Sequence, residues 1–171
     1  MAWIAVGIAF LILGGIALLI YQGRSEYSKK STALATINSI PLELAQKQAL
    51  SLLQDASVFR YVKARDQDEK ALASLPDTLR RFLSQYERAE SCSAAGAYVD
   101  RNIIGPSKRQ PQYILIGHGM EGTDLEYELC VLRSDDRIFE LAGADAPDPA
   151  FGTYATIFHW VIAVAKEERA A

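Results

Sequence analysis

Residues 112–141 read QYILIGHGMEGTDLEYELCVLRSDDRIFEL, and this segment decides the fold of the chain. It opens with a short continuous apolar run, which is typical of a strand covered on both faces. Three glycines within residues 117–122 then predict a turn, because glycine accepts positive φ freely. Over residues 125–131 apolar side chains alternate with Glu126, Glu128 and a cysteine, which predicts a strand with one face in the core and one towards water. A Ser-Asp-Asp turn and a short partner strand complete the segment.

The same segment is strongly acidic. Residues 117–148 contain nine acidic and two basic side chains, whereas residues 22–116 carry a balance of +4. Such a field attracts a basic partner and repels nucleic acid, although a run of acids is also an ordinary solvated surface. We predict a partner-binding surface formed by six of these acids: Glu121, Asp124, Glu126, Glu128, Asp135 and Asp136.

A second feature of the sequence is a long apolar stretch at the N-terminus. Residues 1–23 contain no charged side chain, and Trp3 to Tyr21 is almost wholly apolar. At about 1.5 Å per helical residue this stretch nearly crosses the roughly 30 Å hydrocarbon core of a bilayer. A cleaved signal peptide is the alternative, but it requires a basic start and a small-residue cleavage site, and neither is present. We therefore predict a single-pass anchor that contacts the bilayer through residues 3–21.

The flanking charges predict the orientation of this anchor. Arg24, Lys29 and Lys30 follow the span and no basic side chain precedes it, so the C-terminal domain is expected in the cytoplasm at a bacterial inner membrane. Two cysteines, Cys92 and Cys130, are compatible with a reducing compartment. Residues 24–39 are predicted as a juxtamembrane linker, either continuing the helix or acting as a tether.

Residues 40–171 are predicted to form one α+β domain of helices, a mostly antiparallel sheet and a closing C-terminal helix. Helical spacing of apolar residues predicts a first helix over 41–53. Ser74-Leu75-Pro76-Asp77 predicts the start of a second, with Ser74 as its N-cap and an apolar stripe reaching Tyr86. A strand is predicted over 97–104, and the closing helix over 153–169. The charged stretch 63–70 is expected to be a loop or helix end.

Four segments of this domain form a recognisable pattern: LPDTLRRFL at 75–83, ILIG at 114–117 with Gly119 and Gly122 after it, RIFEL at 137–141, and TIFHWV at 156–161. Together they resemble the SUKH superfamily, the Smi/Knr-like domain. The match covers about residues 55–165, and it departs from the family at 88–91, where Arg-Ala-Glu-Ser replaces the usual Asn-Gly-Gly turn.

Many bacterial members of that superfamily are immunity proteins that bind and neutralise a toxin. The resemblance therefore implies a non-enzymatic binding module, most concretely an immunity protein whose partner, such as a nuclease, is basic at its contact site. A membrane-tethered scaffold or regulatory subunit of an envelope complex is the alternative. An enzyme would require a polar pocket with a strongly shifted pKa.

The sequence offers little for catalysis. His118, Glu121 and Asp124 could cluster around a metal, but a zinc site requires three or four ligands at suitable spacing. Glu126 and Glu128, about 7 Å apart on one strand face, could serve acid–base chemistry, yet such acids usually face solvent. Phosphate-binding loops, dinucleotide fingerprints and interleaved basic and aromatic residues are not found. We therefore predict no catalytic residues, no cofactor or metal, no small-molecule substrate and no nucleic-acid partner.

Overall fold

The computed structural model describes residues 28–65, 72–92, 96–143 and 152–170. A 3₁₀ turn, Arg101–Ile103, interrupts the sheet. The α-helices in the described ranges are α1 (28–38), α2 (Leu42–Leu53), α3 (Asp77–Leu83) and α4 (Ile157–Ala170). The strands are β1 (Phe59–Lys63), β2 (Tyr86–Ser91), β3 (Tyr98–Asp100), β4 (Gly105–Pro106), β5 (Ile114–Gly119), β6 (Tyr127–Leu132), β7 (Asp135–Leu141) and β8 (Thr153–Tyr154). The predicted α+β class is confirmed, as are the mostly antiparallel sheet and the closing helix.

All eight strands belong to one sheet, in the order β1-β2-β3-β5-β6-β7-β8, and the pairings are antiparallel. β4 lies off this path and pairs with β5. β3 pairs with Gly117 and His118, while β4 pairs with Ile114 and Leu115 of the same strand. β3 and β4 therefore follow the same edge of β5, one after the other, with the 3₁₀ turn between them.

The main core lies between the sheet and the helices. α4 is buried almost all round, and its Trp160 ring packs 6.4 Å from Phe59 of β1. Phe82 of α3 packs 6.0 Å from Phe158 of α4. A second, smaller apolar cluster covers part of the opposite face of the sheet. It contains Leu115, Cys130, Phe139 and Leu141, with Ile103, Tyr113 and Leu132 packed against it.

The helix predicted over 41–53 is confirmed as α2, with Pro41 as its N-cap. The closing helix is also confirmed, but it begins at Ile157 rather than at residue 153. Thr153 and Tyr154 instead pair with β7 as the edge strand β8. Their backbone groups are satisfied by the sheet, so the helix starts only after it.

The predicted start of α3 was wrong in detail. Ser74 does not cap the helix; Pro76 is the N-cap residue and has no side-chain hydrogen bond. The carboxylate of Asp136, far along the chain, accepts hydrogen bonds from the backbone N–H of Thr78 at 3.0 Å and from its hydroxyl at 2.7 Å. A remote acid thus satisfies a helix N-terminus that local sequence was expected to satisfy.

Three further corrections concern strands β1, β2 and β3. The apolar stripe was extended to Tyr86, but that residue begins β2, and the first residue of the stretch 63–70 completes β1. The strand predicted over 97–104 ends at Asp100. There the Asp100 carboxylate accepts the N–H of Asn102 at 2.8 Å and so starts the 3₁₀ turn.

The glycine turn predicted over 117–122 begins later than expected, because Gly117 lies within β5. A Cβ atom on Gly117 would lie 2.0 Å from the backbone oxygen of Tyr98 on β3. This glycine therefore serves a close approach of two strands rather than a turn. The turn itself follows at Met120 (φ 54°) and Gly122 (φ 79°).

Residues 28–38 of the expected linker form α1, which packs Leu34 and Ile37 into the core. The Asn38 side chain donates to the Thr153 carbonyl and accepts from the Ala155 N–H, both at 2.9 Å. The anchor predicted over 1–23 lies outside the described residues. Within the described ranges, none of the helices combines the length and the apolar character that crossing a bilayer requires.

Candidate functional site

A polar strip crosses the face of the sheet that lies opposite the helices. The register pairs Arg88 with Asp100, Glu90 with Tyr98, and Tyr98 with His118, so these five side chains share one face. We call them the polar strip. It lies beside the second apolar cluster, and its side chains range from buried to about one-third exposed.

Ion pairs and an aromatic ring hold the polar strip together. The Arg88 guanidinium donates to Asp100 at 3.1 Å and to Glu90 at 3.2 Å. Its central carbon lies 4.2 Å from the centre of the Tyr98 ring, a cation–π contact. The Tyr98 hydroxyl donates to Glu121 at 2.9 Å. Burial and this acceptor raise the pKa of Tyr98 to about 12, so the hydroxyl remains a donor at neutral pH.

The acidic loop, residues 120–126, leaves the end of β5 and folds beside the polar strip. Its own hydrogen bonds fix its shape: the Thr123 hydroxyl donates to the Met120 carbonyl at 2.7 Å, and the Glu126 N–H donates to the Thr123 carbonyl at 3.2 Å. The Glu126 carboxylate accepts the Gly122 N–H at 3.1 Å. The loop is therefore ordered before any partner arrives.

Leu125 was predicted to face the core, and this was wrong. It is 67% exposed in the acidic loop, the most exposed of the large apolar side chains in the described residues. The neighbouring Asp124 is exposed as well, as is Glu121, and Glu126 is half-buried. The loop thus presents one exposed apolar side chain, next in sequence to Asp124 and Glu126.

Glu128 was predicted to face solvent, and this too was wrong, since only 3% of the residue is exposed. The strand alternation itself was correct, because Glu128 and Cys130 do lie on the face opposite the core residues Leu129 and Val131. That face is covered. The Ser107 hydroxyl donates to the Glu128 carboxylate and stabilises it there.

The cover over Glu128 is the segment that connects β4 to β5. Arg109 fastens this segment, because its guanidinium donates to the carbonyls of Ala142 at 2.7 Å and Glu126 at 3.0 Å. Beneath it, burial and the nearby Glu128 raise the pKa of the Cys130 thiol to about 12. Cys130 therefore stays a protonated, unreactive thiol, as expected for a small buried side chain in a strand.

The remaining two predicted site residues lie in the β6–β7 hairpin, away from the acidic loop. Asp135 accepts from the Arg137 side chain at 2.7 Å and from its N–H at 3.0 Å. The Arg137 hydrogen bond lowers the pKa of Asp135. Asp136 caps α3. The structure thus brings together Glu121, Asp124 and Glu126, and it gives Glu128, Asp135 and Asp136 contacts within the fold.

His118 lies beside both Glu126 and Glu128, the two acids considered above for acid–base chemistry. In the described part of the chain, no three His, Cys, Asp or Glu side chains are placed to hold a metal ion. His118 Nδ1 is buried without a hydrogen bond, 3.7 Å from the Glu126 carboxylate. That carboxylate is already used by the loop, and Glu128 is sealed off, so the two acids do not form a catalytic pair.

Comparison with protein-family models, curated proteins and solved structures finds no match to this chain. The resemblance to the SUKH superfamily therefore stays a prediction, and the four segments on which it was based lie in regular elements. The Leu-Pro segment begins α3, ILIG lies in β5, RIFEL in β7, and TIFHWV enters α4.

Proposed function

We propose that this chain is a membrane-anchored, non-enzymatic binding module of the immunity type, which holds a toxin inactive at the inner face of the membrane. The observation that supports it best is the acidic loop: Leu125 is exposed among carboxylates on a loop whose shape is fixed by internal hydrogen bonds. A preformed loop loses little conformational entropy when it binds, so more of its contact energy appears as affinity.

The chemistry of the loop indicates the chemistry of the partner. Its contact surface should hold an apolar pocket for Leu125, bordered by Lys or Arg side chains that meet Glu121 and Asp124. A nuclease whose substrate groove is basic would supply the Lys and Arg side chains of such a surface. A few well-packed residues near the centre of an interface commonly provide most of the affinity, whereas charges at its rim increase the association rate.

Growth rescue tests this proposal. The full chain is co-expressed with the toxin candidate encoded by the adjacent gene, and growth is compared with that of cells expressing the candidate alone. Leu125→Ala and Asp124→Lys should each weaken rescue. Leu44→Ala and Glu43→Lys are controls, because they make the same truncation of leucine and the same reversal of an acidic charge at exposed positions on α2. Rescue that is equal for all four variants would remove the acidic loop as the binding site, and no rescue by the wild type would refute the immunity role.

The membrane part of the proposal has its own test. Since Arg24, Lys29 and Lys30 form the basic flank, an alkaline phosphatase fused after residue 171 should be inactive and a cytoplasmic reporter active. An active phosphatase at that position contradicts the orientation without bearing on the acidic loop.

A further inference from the structure

One side chain from outside the acidic loop holds the end of that loop. The Arg109 guanidinium, half-buried in the segment that connects β4 to β5, donates from Nη1 to the Ala142 carbonyl at 2.7 Å and from Nη2 to the Glu126 carbonyl at 3.0 Å. Glu126 is the last residue of the acidic loop and directly follows the exposed Leu125. The backbone that carries Leu125 is therefore fastened by a side chain from another segment.

The two carbonyls lie just beyond the β6–β7 ladder. Glu126 directly precedes β6, and Ala142 directly follows β7. The register of these strands begins with Glu128 opposite Leu141, so both carbonyls belong to backbone that has left the ladder. A planar guanidinium presents several donors at fixed spacing and can bridge two such acceptors. Arg109 therefore fixes where the acidic loop joins the sheet.

The internal hydrogen bonds of the loop depend on this end. The Gly122 N–H donates to the Glu126 carboxylate at 3.1 Å, and the Glu126 N–H donates to the Thr123 carbonyl at 3.2 Å. Because both bonds involve Glu126, a shift of the Glu126 backbone disturbs both. The bond from the Tyr98 hydroxyl reaches the loop at the side chain of Glu121 and so constrains its backbone less.

The charge of Arg109 and its hydrogen bonds have opposite effects on a basic partner. Four carboxylates lie in or beside the loop, and the Arg109 guanidinium places a positive charge next to them. Electrostatics alone therefore predicts that removing this charge strengthens binding of a basic partner. Loss of the two hydrogen bonds predicts the reverse, because a loop that must be ordered on binding loses affinity.

We propose that Arg109 is a positioning residue for partner binding, which orders the acidic loop before the partner arrives and whose hydrogen bonds outweigh the unfavourable effect of its charge. This inference rests on the acidic loop as the binding site in the proposed function. The neighbouring Lys108 offers a matched control, because its side chain is exposed and takes no part in these contacts. Lys108→Gln thus removes the same charge from the same segment without removing the bridge.

Amide hydrogen exchange of the full chain in detergent, without a partner, tests the ordering of the loop. Arg109→Gln and Arg109→Lys should each speed exchange at the Gly122 and Glu126 amides by about tenfold, because neither side chain reproduces the guanidinium bridge. Amides of β6 and β7 should stay protected, which separates local loosening from unfolding. Lys108→Gln should leave loop exchange unchanged. Loop exchange that is equal in the wild type and a folded Arg109→Lys protein overturns the proposal, even if Arg109→Gln fails to fold.

Binding kinetics with the toxin candidate give the second readout. Both Arg109 variants should dissociate about tenfold faster, whereas the salt dependence of the association rate should remain, because the carboxylates of the loop are unchanged. Tighter binding by Arg109→Gln, as its charge alone predicts, overturns the proposal, and so does an unchanged dissociation rate. If the wild-type chain forms no complex, the proposed function fails, and the exchange experiment still decides whether Arg109 orders the loop.

Discussion

The Glu140 carboxyl gives a quantitative test of how burial against the core changes the pKa of an acidic side chain. It lies on the helix-facing side of β7, half-buried, and accepts the Tyr154 hydroxyl at 2.7 Å. Burial raises the pKa of Glu140 to about 7. The Tyr154 hydrogen bond opposes this rise, the charge of Glu167 adds to it, and Lys30 lowers the pKa.

The sign and size of the effect follow from linkage. The folded protein binds the Glu140 proton more tightly than the unfolded chain does, because the pKa is 4.5 unfolded and about 7 folded. The stability from this group is therefore fully present below about pH 4.5 and is lost as the pH rises to about 7. At 1.36 kcal/mol per pKa unit the loss is at most about 3 kcal/mol, and partial exposure of the residue makes it smaller.

Glu140→Gln removes the titration and keeps an oxygen that can accept the Tyr154 hydrogen bond. Urea unfolding of the full chain in detergent, compared at about pH 5 and about pH 8, measures the difference. The wild type should lose more unfolding free energy than Glu140→Gln over this range. Glu167→Gln, at an exposed position, is the control and should keep most of the wild-type slope. Equal slopes for the wild type and Glu140→Gln would show that the Glu140 carboxyl is not desolvated.

Two further substitutions test close packing and capping. Gly117→Ala should lower the free energy of unfolding by about 1–3 kcal/mol, near the upper end, because the added Cβ would lie 2.0 Å from the Tyr98 backbone. Gly143→Ala is the control and should change it little, because nothing lies within 4 Å of a Cβ at that position. Equal melting temperatures for the two variants would contradict the close approach of the strands. Asp136→Ala should lower the free energy of unfolding by about 0.5–2 kcal/mol, because α3 loses its cap, and it should leave partner binding unchanged. Reduced binding by a folded Asp136→Ala protein would instead place that acid in the interface.

Over residues 127–131 the alternation predicted correctly which side chains share a face, but not whether that face meets water. Glu128 is buried because the segment carrying Ser107 and Arg109 lies over it. That contact joins residues about twenty positions apart in the sequence, so the alternation within one strand cannot predict it. The same period placed Leu125 in the core, although the strand begins only at Tyr127.

Sequence patterns predicted an element correctly where the residues of that element alone determine its structure. The apolar spacing of α2 and of α4 predicted both helices. β1 and β2 were missed because they carry mostly polar or partly exposed residues, without a clear apolar alternation. Asp136 was predicted as a binding residue, since a cap supplied from another element looks like any other surface acid in the sequence.

The most direct test of the central claim is the association rate of the wild-type chain and a Glu121→Lys, Asp124→Lys variant with the toxin candidate across a salt series. Glu128 is left unchanged in this variant because it is buried. Because charged groups on a surface are screened beyond about 8 Å at physiological ionic strength, steering should fade as salt rises. The account predicts that the double reversal slows association by about tenfold at low salt and that the two rates converge at high salt. Rates that are indifferent to both salt and the reversal would contradict the acidic loop as the site of partner binding.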